Sequence, residues 1–287
     1  MSQNYKAELV GAFGQPIAEN PTGVMQEAGF NALGLNWRYL MLEVSAPDLV
    51  VAVAGARAFG MRGFNLTIPH KVAVIPYLDD ISPEVKIIGA VNTVRRDGDR
   101  LIGENTDGKG FLRALTQDYG MDPRGKAVVM VGAGGAARAI ATELALAGIE
   151  RLHIVNRNEA RVLGVVNDLR QHTPAQVTYE LWEQTYTVPS GVDIFINATS
   201  IGLHPNGDAM PDVDLTSASK SMLVTDVVFN PVETRLLQEA KGLGLATLDG
   251  LSMLVHQGVF AFELWTGEQA PIAVMKQALY DALNPSN

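Results

Sequence analysis

Apolar residues fall along this chain in short unbroken runs, separated by stretches in which they recur every three or four positions. That is the signature of buried strands alternating with amphipathic helices. Residues 127–131, Ala-Val-Val-Met-Val, carry no polar break, as expected of a strand covered on both faces. The run stops at Gly132-Ala133-Gly134-Gly135, and a helix-forming stretch opens at Ala136. Apolar runs at 152–155, 177–181, 192–197, 222–228 and 245–248 bring the predicted strands here to six. Helical patterns fill most gaps, notably 159–171 and 232–242. This order implies a doubly wound parallel sheet.

Before Gly108 the pattern is mixed. Runs at 7–13, 37–44 and 63–68 read as strands, with helices predicted near 23–33 and from Pro47-Asp48 to Phe59, where Gly60 stops the run. Residues 91–95 and 101–103 flank Asp97-Gly98-Asp99, a hairpin signal. This portion is predicted to be an α/β unit with a mixed sheet. A helix at 111–119 leads into the glycine-turn strand, and the tail reads as two helices, 251–265 and 271–283, whose docking partner periodicity leaves open.

The strand, glycine turn and helix suit a dinucleotide. The first glycine permits the tight turn, the missing side chains let a pyrophosphate reach the backbone, and the helix N-terminus offers N–H groups to its charge. About 20 positions past such glycines a carboxylate usually takes the ribose hydroxyls of NAD. Here Asn156 and Arg157 stand in that place, and Arg161 follows one turn later. Two guanidinium groups favour a 2′-phosphate, hence NADP. Glu159 leaves NAD open, although it is expected in a first helical turn, facing the helix dipole.

Composition narrows the remaining classes. A chain of 287 residues has room for two domains, and 47% hydrophobic with 18% charged residues describes a soluble globular protein. A net charge of −9 argues against nucleic acid or an anionic membrane as partner. With no cysteine there is no disulfide, thiolate metal site or cysteine nucleophile. Residues 1–11 show no basic segment leading into an apolar core, and no apolar run approaches the ~20 residues of a membrane span, so a cytoplasmic protein is expected. His70, His153, His172, His204 and His256 show no metal-like spacing; His153 is expected in the core or at a sheet edge, and His256 is a minor candidate for lining the site.

Three polar clusters punctuate the first portion: Asn65-Leu-Thr67-Ile-Pro-His-Lys71, Gly89-Ala-Val-Asn92-Thr93 and Gly103-Glu-Asn105-Thr106-Asp107-Gly108. Together with the glycine turn, Asn156-Arg157 with Arg161, Asn197-Ala-Thr199-Ser200, and Asp249-Gly250 running on to Gln257, they make the sequence resemble the shikimate dehydrogenase family, quinate/shikimate members included, over nearly its whole length. The resemblance implies a substrate-binding domain at 1–108, a Rossmann-type NADP domain at 109–250, and C-terminal helices at 251–287 returning to the substrate domain, with the active site in the cleft between the two domains. It implies reversible oxidation of shikimate to 3-dehydroshikimate, with Lys71 as catalytic lysine and Asp107 as its partner. Asn65, Thr67, Asn92 and Gln257 fall among its substrate positions. Gly132, Ala133, Gly134, Gly135, Ala136, Asn156, Arg157, Arg161, Thr199, Val227 and Gly250 fall among its cofactor positions. The chemistry is coherent: hydride arriving at a ketone carbon leaves negative charge on oxygen, which a lysine ammonium stabilises and protonates. Asn, Thr and Gln suit the hydroxyls of a polyol ring.

Two departures fall on the ligand side. The family commonly holds the substrate carboxylate with a Ser-x-Ser-Pro pattern, where this chain carries Asn20 and Thr22, and a family tyrosine is replaced by Phe229. Quinate or a related cyclohexane polyol or amino analogue is therefore the alternative substrate. Further alternatives are a dehydrogenase of the same plan acting on a folate or amino acid, and a non-catalytic nucleotide-binding protein. No heptads or apolar stripe mark an oligomer interface, so monomer and homodimer both stay open.

Overall fold

Strand β1 (Glu8–Gly14) opens the first of two units into which the chain divides in a computed structural model describing residues 5–284. Residues 1–4, part of the stretch searched for a leader, lie outside the described residues. The first unit continues through α1 (Thr22–Ala32), β2 (Trp37–Glu43), α2 (Leu49–Ala58), β3 (Gly63–Leu66), α3 (His70–Ala73), a 3₁₀ turn (Ile75–Tyr77), β4 (Asp80–Ile81), α4 (Pro83–Ile88), β5 (Thr93–Asp97) and β6 (Arg100–Glu104). Its sheet runs β2-β1-β3-β5-β6-β4 and is mixed, as expected: β1 pairs parallel with β2 and β3, while β5 runs antiparallel to β3 and β6. The carboxyl half of β1 is buried at every position, and Phe13 stacks on Phe64 at 4.5 Å in the core beneath α2.

The second unit spans Asp107–Leu254. It holds α5 (Asp107–Arg113) running into a π-helical turn (Ala114–Asp118), then β7 (Ala127–Val131), α6 (Gly135–Leu146), β8 (Arg151–Asn156), α7 (Glu159–His172), β9 (Gln176–Leu181), β10 (Tyr186–Thr187), β11 (Ile194–Asn197), β12 (Val213–Asp214), β13 (Leu223–Asp226), α8 (Arg235–Gly242), β14 (Ala246–Leu248) and the start of α9 (Gly250–Thr266). Its six-stranded sheet is parallel throughout, in the order β14-β13-β11-β7-β8-β9. This is the doubly wound order, in which the chain reverses direction across the sheet beside β7. The apolar run of β7 is buried at all five positions.

From Val255 the chain rejoins the first unit, with α10 (Ile272–Leu283) packed on α1. Phe262 of α9 stacks on Phe30 at 5.2 Å, and the Trp265 indole donates to the Val94 carbonyl at 2.9 Å.

Several elements differ from the pattern reading. The helix expected at 111–119 begins at Asp107. A Cβ on Gly108 would lie 2.3 Å from the Ala139 carbonyl oxygen, so the first turn of α5 presses backbone to backbone on α6. Contact through bare backbone leaves no apolar period to read. The strand predicted over 63–68 stops at Leu66, α3 follows from His70, and α4 passed unforeseen although Ser82-Pro83 and Gly89, at φ +70°, bracket it with ordinary start and stop signals.

Candidate active site

At the carboxyl end of β3 the chain turns sharply, and the turn is held on both sides. Thr67 N–H donates to the Phe13 carbonyl at 3.0 Å, and Leu66 N–H to that of Asn92 at 2.8 Å. Asn65 is buried, and its amide is fully engaged at the nitrogen. Nδ2 donates to the Thr93 hydroxyl at 2.9 Å and the Asn92 carbonyl at 3.3 Å, while Oδ1 accepts from the Tyr39 hydroxyl at 2.7 Å. The chain of bonds runs on. Thr93 and Thr106 hydroxyls lie 3.1 Å apart, and Asn92 takes the Thr106 N–H on Oδ1 at 2.7 Å while giving Nδ2 to the Thr106 hydroxyl at 2.9 Å. A buried polar network that is this well satisfied fixes which face each amide presents.

Lys71 is the second residue of α3 and half-buried. Its carbonyl accepts from Val91 N–H at 2.7 Å, which ties the lysine to the loop bearing Asn92. His70, fully buried beside it, bonds the Val44 carbonyl through Nε2 at 2.7 Å. Asn20 uses its Oδ1 to accept the Thr22 N–H at 3.0 Å, and Thr22 is buried as the first residue of α1. The same helix meets the Gln257 segment, because Gln26 Nε2 donates to the Gly258 carbonyl at 2.8 Å. The first unit therefore gathers Asn20, Thr22, Asn65, Thr67, Lys71, Asn92 and Gln257. Asp107 belongs to the second unit, as the half-buried first residue of α5. His256 is buried within α9, and His153, in the interior strand β8, is only partly buried and bonds the Thr178 hydroxyl at 2.8 Å; burial lowers its pKa below the usual range.

In the second unit the glycine turn meets its sequence reading closely. Gly132 sits at φ +109°, and a Cβ there would lie 2.8 Å from the Ala198 carbonyl oxygen. Gly134 and Gly135 face open space, and no side chain caps α6. An uncapped helix behind a bare turn fits a pyrophosphate. Beyond β8, Asn156 Nδ2 donates to the Asn158 carbonyl at 2.8 Å, and Asn158 caps α7 by accepting Arg161 N–H at 2.9 Å. The Arg157 guanidinium lies over the Trp182 ring, 5.0 Å from its centroid. Glu159 opens α7, as expected from its sequence position.

The remaining positions that the resemblance assigns to the cofactor lie around Asp226. Its Oδ1 accepts from Asn197 Nδ2 at 2.9 Å and Val228 N–H at 3.0 Å, and its Oδ2 from the Thr234 hydroxyl at 2.8 Å. Burial outweighs these three donors and pushes its carboxyl up to about 6. Asn197 Oδ1 in turn accepts the Thr199 hydroxyl at 2.7 Å, and Gly250 packs so tightly on the Val227–Val228 peptide that a Cβ would meet Val228 O at 2.4 Å. Phe229 lies half-buried on the same loop. Among the described residues no group of His, Asp and Glu is placed to hold a metal, and no helix is long and apolar enough to cross a membrane.

Sequence reasoning missed Tyr39, Asp226 and Trp182. Tyr39 sits in an ordinary β-strand pattern, and only pairing across the sheet reveals its hydroxyl's partner. Asp226 falls inside the apolar run at 222–228, whose pattern says nothing of the three donors it meets.

Comparison with known proteins places three family descriptions end to end on the chain. Residues 12–94 match the shikimate dehydrogenase substrate binding domain, 114–252 match shikimate / quinate 5-dehydrogenase, and 250–280 match the shikimate 5′-dehydrogenase C-terminal domain. A shikimate dehydrogenase (NADP(+)) of Desulforamulus reducens is 40% identical over 279 residues, covering 96% of each chain. Among solved structures, the ligand-free 5-ketofructose reductase of Gluconobacter sp. strain CHM43 is 48% identical, with a TM-score of 0.92, covering 97% of this chain and 99% of that one. Shikimate 5-dehydrogenase from Listeria monocytogenes, in complex with shikimate and NAD, is 34% identical, with a TM-score of 0.90 and 97% and 99% covered.

Proposed function

The chain belongs to the shikimate dehydrogenase family, and we propose from that premise how its residues divide the work of an NADP-dependent oxidoreductase acting on a CH–OH group. The reaction is the reversible oxidation of shikimate to 3-dehydroshikimate, or of a polyol of the same build. The observation that supports this most is the bonded neighbourhood at the end of β3, where Asn65, Asn92 and the Lys71 backbone are locked together. A ring carrying several hydroxyls needs polar side chains held in one orientation, and this bonded cluster fixes its amides beside a lysine.

In this scheme Asn65, Thr67, Asn92 and Gln257 orient the hydroxyls, and Asn20 and Thr22 receive the far end of the substrate. Lys71 places its ammonium against the carbonyl oxygen, stabilises the charge that develops there and donates the proton; in the reverse direction it takes the proton back. The family resemblance assigns Asp107 as the partner of that lysine. Gly132 to Ala136 would hold the pyrophosphate of NADP, Asn156, Arg157 and Arg161 the 2′-phosphate end, and Thr199, Val227 and Gly250 the nicotinamide end. When bound, that cofactor supplies or accepts the hydride. The chain is expected to work in the cytoplasm as a monomer or homodimer, without nucleic acid or membrane.

A second substrate reading has specific support. Asn20 and Thr22 replace the serine pair, Asn20 Oδ1 ties up the Thr22 N–H, and Phe229 lacks a hydroxyl. A site altered on the carboxylate side, in a chain 48% identical to a 5-ketofructose reductase, fits an uncharged polyhydroxy ketone such as 5-ketofructose. The deciding experiment follows NADPH oxidation with 3-dehydroshikimate and with 5-ketofructose, and NADP reduction with shikimate and quinate. A kcat/KM for 3-dehydroshikimate at least tenfold above that for 5-ketofructose supports the first reading, and the reverse order supports the second. No turnover of any of them would refute both.

A further inference from the structure

Trp182 is tied to the end of β8 and to the core at once. Its N–H donates to the Asn156 carbonyl at 3.1 Å, its indole Nε1–H to the Asp212 carbonyl at 3.2 Å, and its ring is buried among Tyr186, Val188 and Val213. The exposed Arg157 guanidinium lies across that ring at 5.0 Å. An arginine at a strand's carboxyl end ordinarily samples many rotamers, and ordering it on a ligand costs entropy. A guanidinium resting on an indole face has lost much of that freedom beforehand, while its edge keeps the N–H groups that grip a phosphate.

We propose that Trp182 is a specificity-determining positioning residue for the cofactor, its indole serving as a platform that pre-orients the Arg157 guanidinium toward the 2′-phosphate. This rests on the assignment of Arg157 to the phosphate corner. It adds a residue outside the glycine turn and the Asn156-to-Arg161 segment, contributed by the chain just past β9. The fixed cation makes the 2′-phosphate, and not the adenine or the pyrophosphate, the group that Trp182 affects. Arg161, exposed in the first turn of α7, has its backbone placed by Asn158 and does not depend on the platform.

The test measures binding alone, by calorimetric titration with adenosine 2′,5′-bisphosphate and with 5′-AMP, so that failure of the catalytic scheme does not obscure it. Trp182→Leu should weaken the bisphosphate about five- to tenfold and change 5′-AMP less than about twofold. Trp182→Phe, which keeps a ring face, should stay within about threefold of the parent for both. Arg157→Ala should weaken the bisphosphate by about tenfold or more, and the double variant with Trp182→Leu should bind no worse than Arg157→Ala within about twofold. Equal weakening of both ligands, full additivity in the double variant, or tighter bisphosphate binding by Trp182→Leu would overturn the proposal. If Trp182→Leu does not fold, the exposed change Arg157→Lys decides: charge is kept and the planar stack is lost. A drop of about fivefold or more supports the platform, and unchanged preference for the bisphosphate overturns it.

Discussion

Lys71 is the residue on which the proposed chemistry concentrates. Removing its ammonium while leaving α3 intact should cut turnover by roughly 10²–10⁴, with NADPH binding retained. Steady-state kinetics of Lys71→Ala, paired with a binding titration, checks this, and a change below about threefold would remove the lysine from the mechanism. Tyr39 acts one step back. Its hydroxyl is buried, burial raises its pKa, and it donates to Asn65 Oδ1. Tyr39→Phe leaves that oxygen without its donor and should cost about 1–3 kcal/mol of stability. With the Asn65 amide less firmly held, the substrate KM should rise while NADPH affinity stays put; an unchanged KM would show the bond to be structural only. Asp226 gives the pH dependence. Its folded pKa lies near 6, above the ordinary 3.8, so its contribution to stability is full below about pH 4 and is lost as pH rises through 6. Asp226→Asn keeps an oxygen for Asn197 and Val228, can donate its amide N–H to the Thr234 oxygen instead, and should flatten the fall in stability between those limits, up to roughly 3 kcal/mol by pH 7. Denaturation curves at several pH values would reveal identical slopes if the aspartate were not the cause.

At the scale of elements, the glycine turn between β7 and α6 and the joint between α5 and α6 are two places where a single methyl should matter. Gly132 combines a positive φ with a neighbouring carbonyl at van der Waals limits, so Gly132→Ala should destabilise the turn by more than about 1 kcal/mol and weaken NADP binding. Gly134→Ala makes the informative contrast, since open space surrounds it in the protein alone. It should leave the melting temperature within a degree or two while still weakening the dinucleotide, because its Cβ would occupy the space offered to the pyrophosphate. Calorimetric melting and binding titrations separate the two effects. Loss of stability in both variants would mean that the bareness of the turn serves the fold rather than the ligand.

At the scale of the whole molecule, the two units differ in how the chain builds them. The second is one continuous segment, Asp107–Leu254, with its own parallel sheet and a core running from Val129 through Phe195 to Leu237. Expressed alone it should fold cooperatively and bind adenosine 2′,5′-bisphosphate, as circular dichroism and titration would show. The first unit needs both ends of the chain. Truncation after Leu254 removes Phe262 from Phe30, the Gly258 carbonyl from Gln26, and Trp265 from the Val94 carbonyl. Three buried partners are then left without their contacts, and the residues before Thr106 should fail to fold.

The alternation of elements, the parallel character of the second sheet and the glycine turn were legible in the sequence, because each rests on local chemistry: strand burial and φ at a glycine. The hairpin at Gly98 belongs with them, since Gly98 sits at φ +58° between the antiparallel β5 and β6. Other features are made by residues distant in the chain and become visible only when the chain is folded. Tyr39 reaches Asn65 across β1, Trp182 meets Arg157 beyond β9, Asp226 finds Asn197 at the end of the neighbouring β11, and α10 finds α1 some 240 residues away in sequence. Periodicity shows that a face must be buried and is silent on what buries it; the choice of partner is a property of the packed whole.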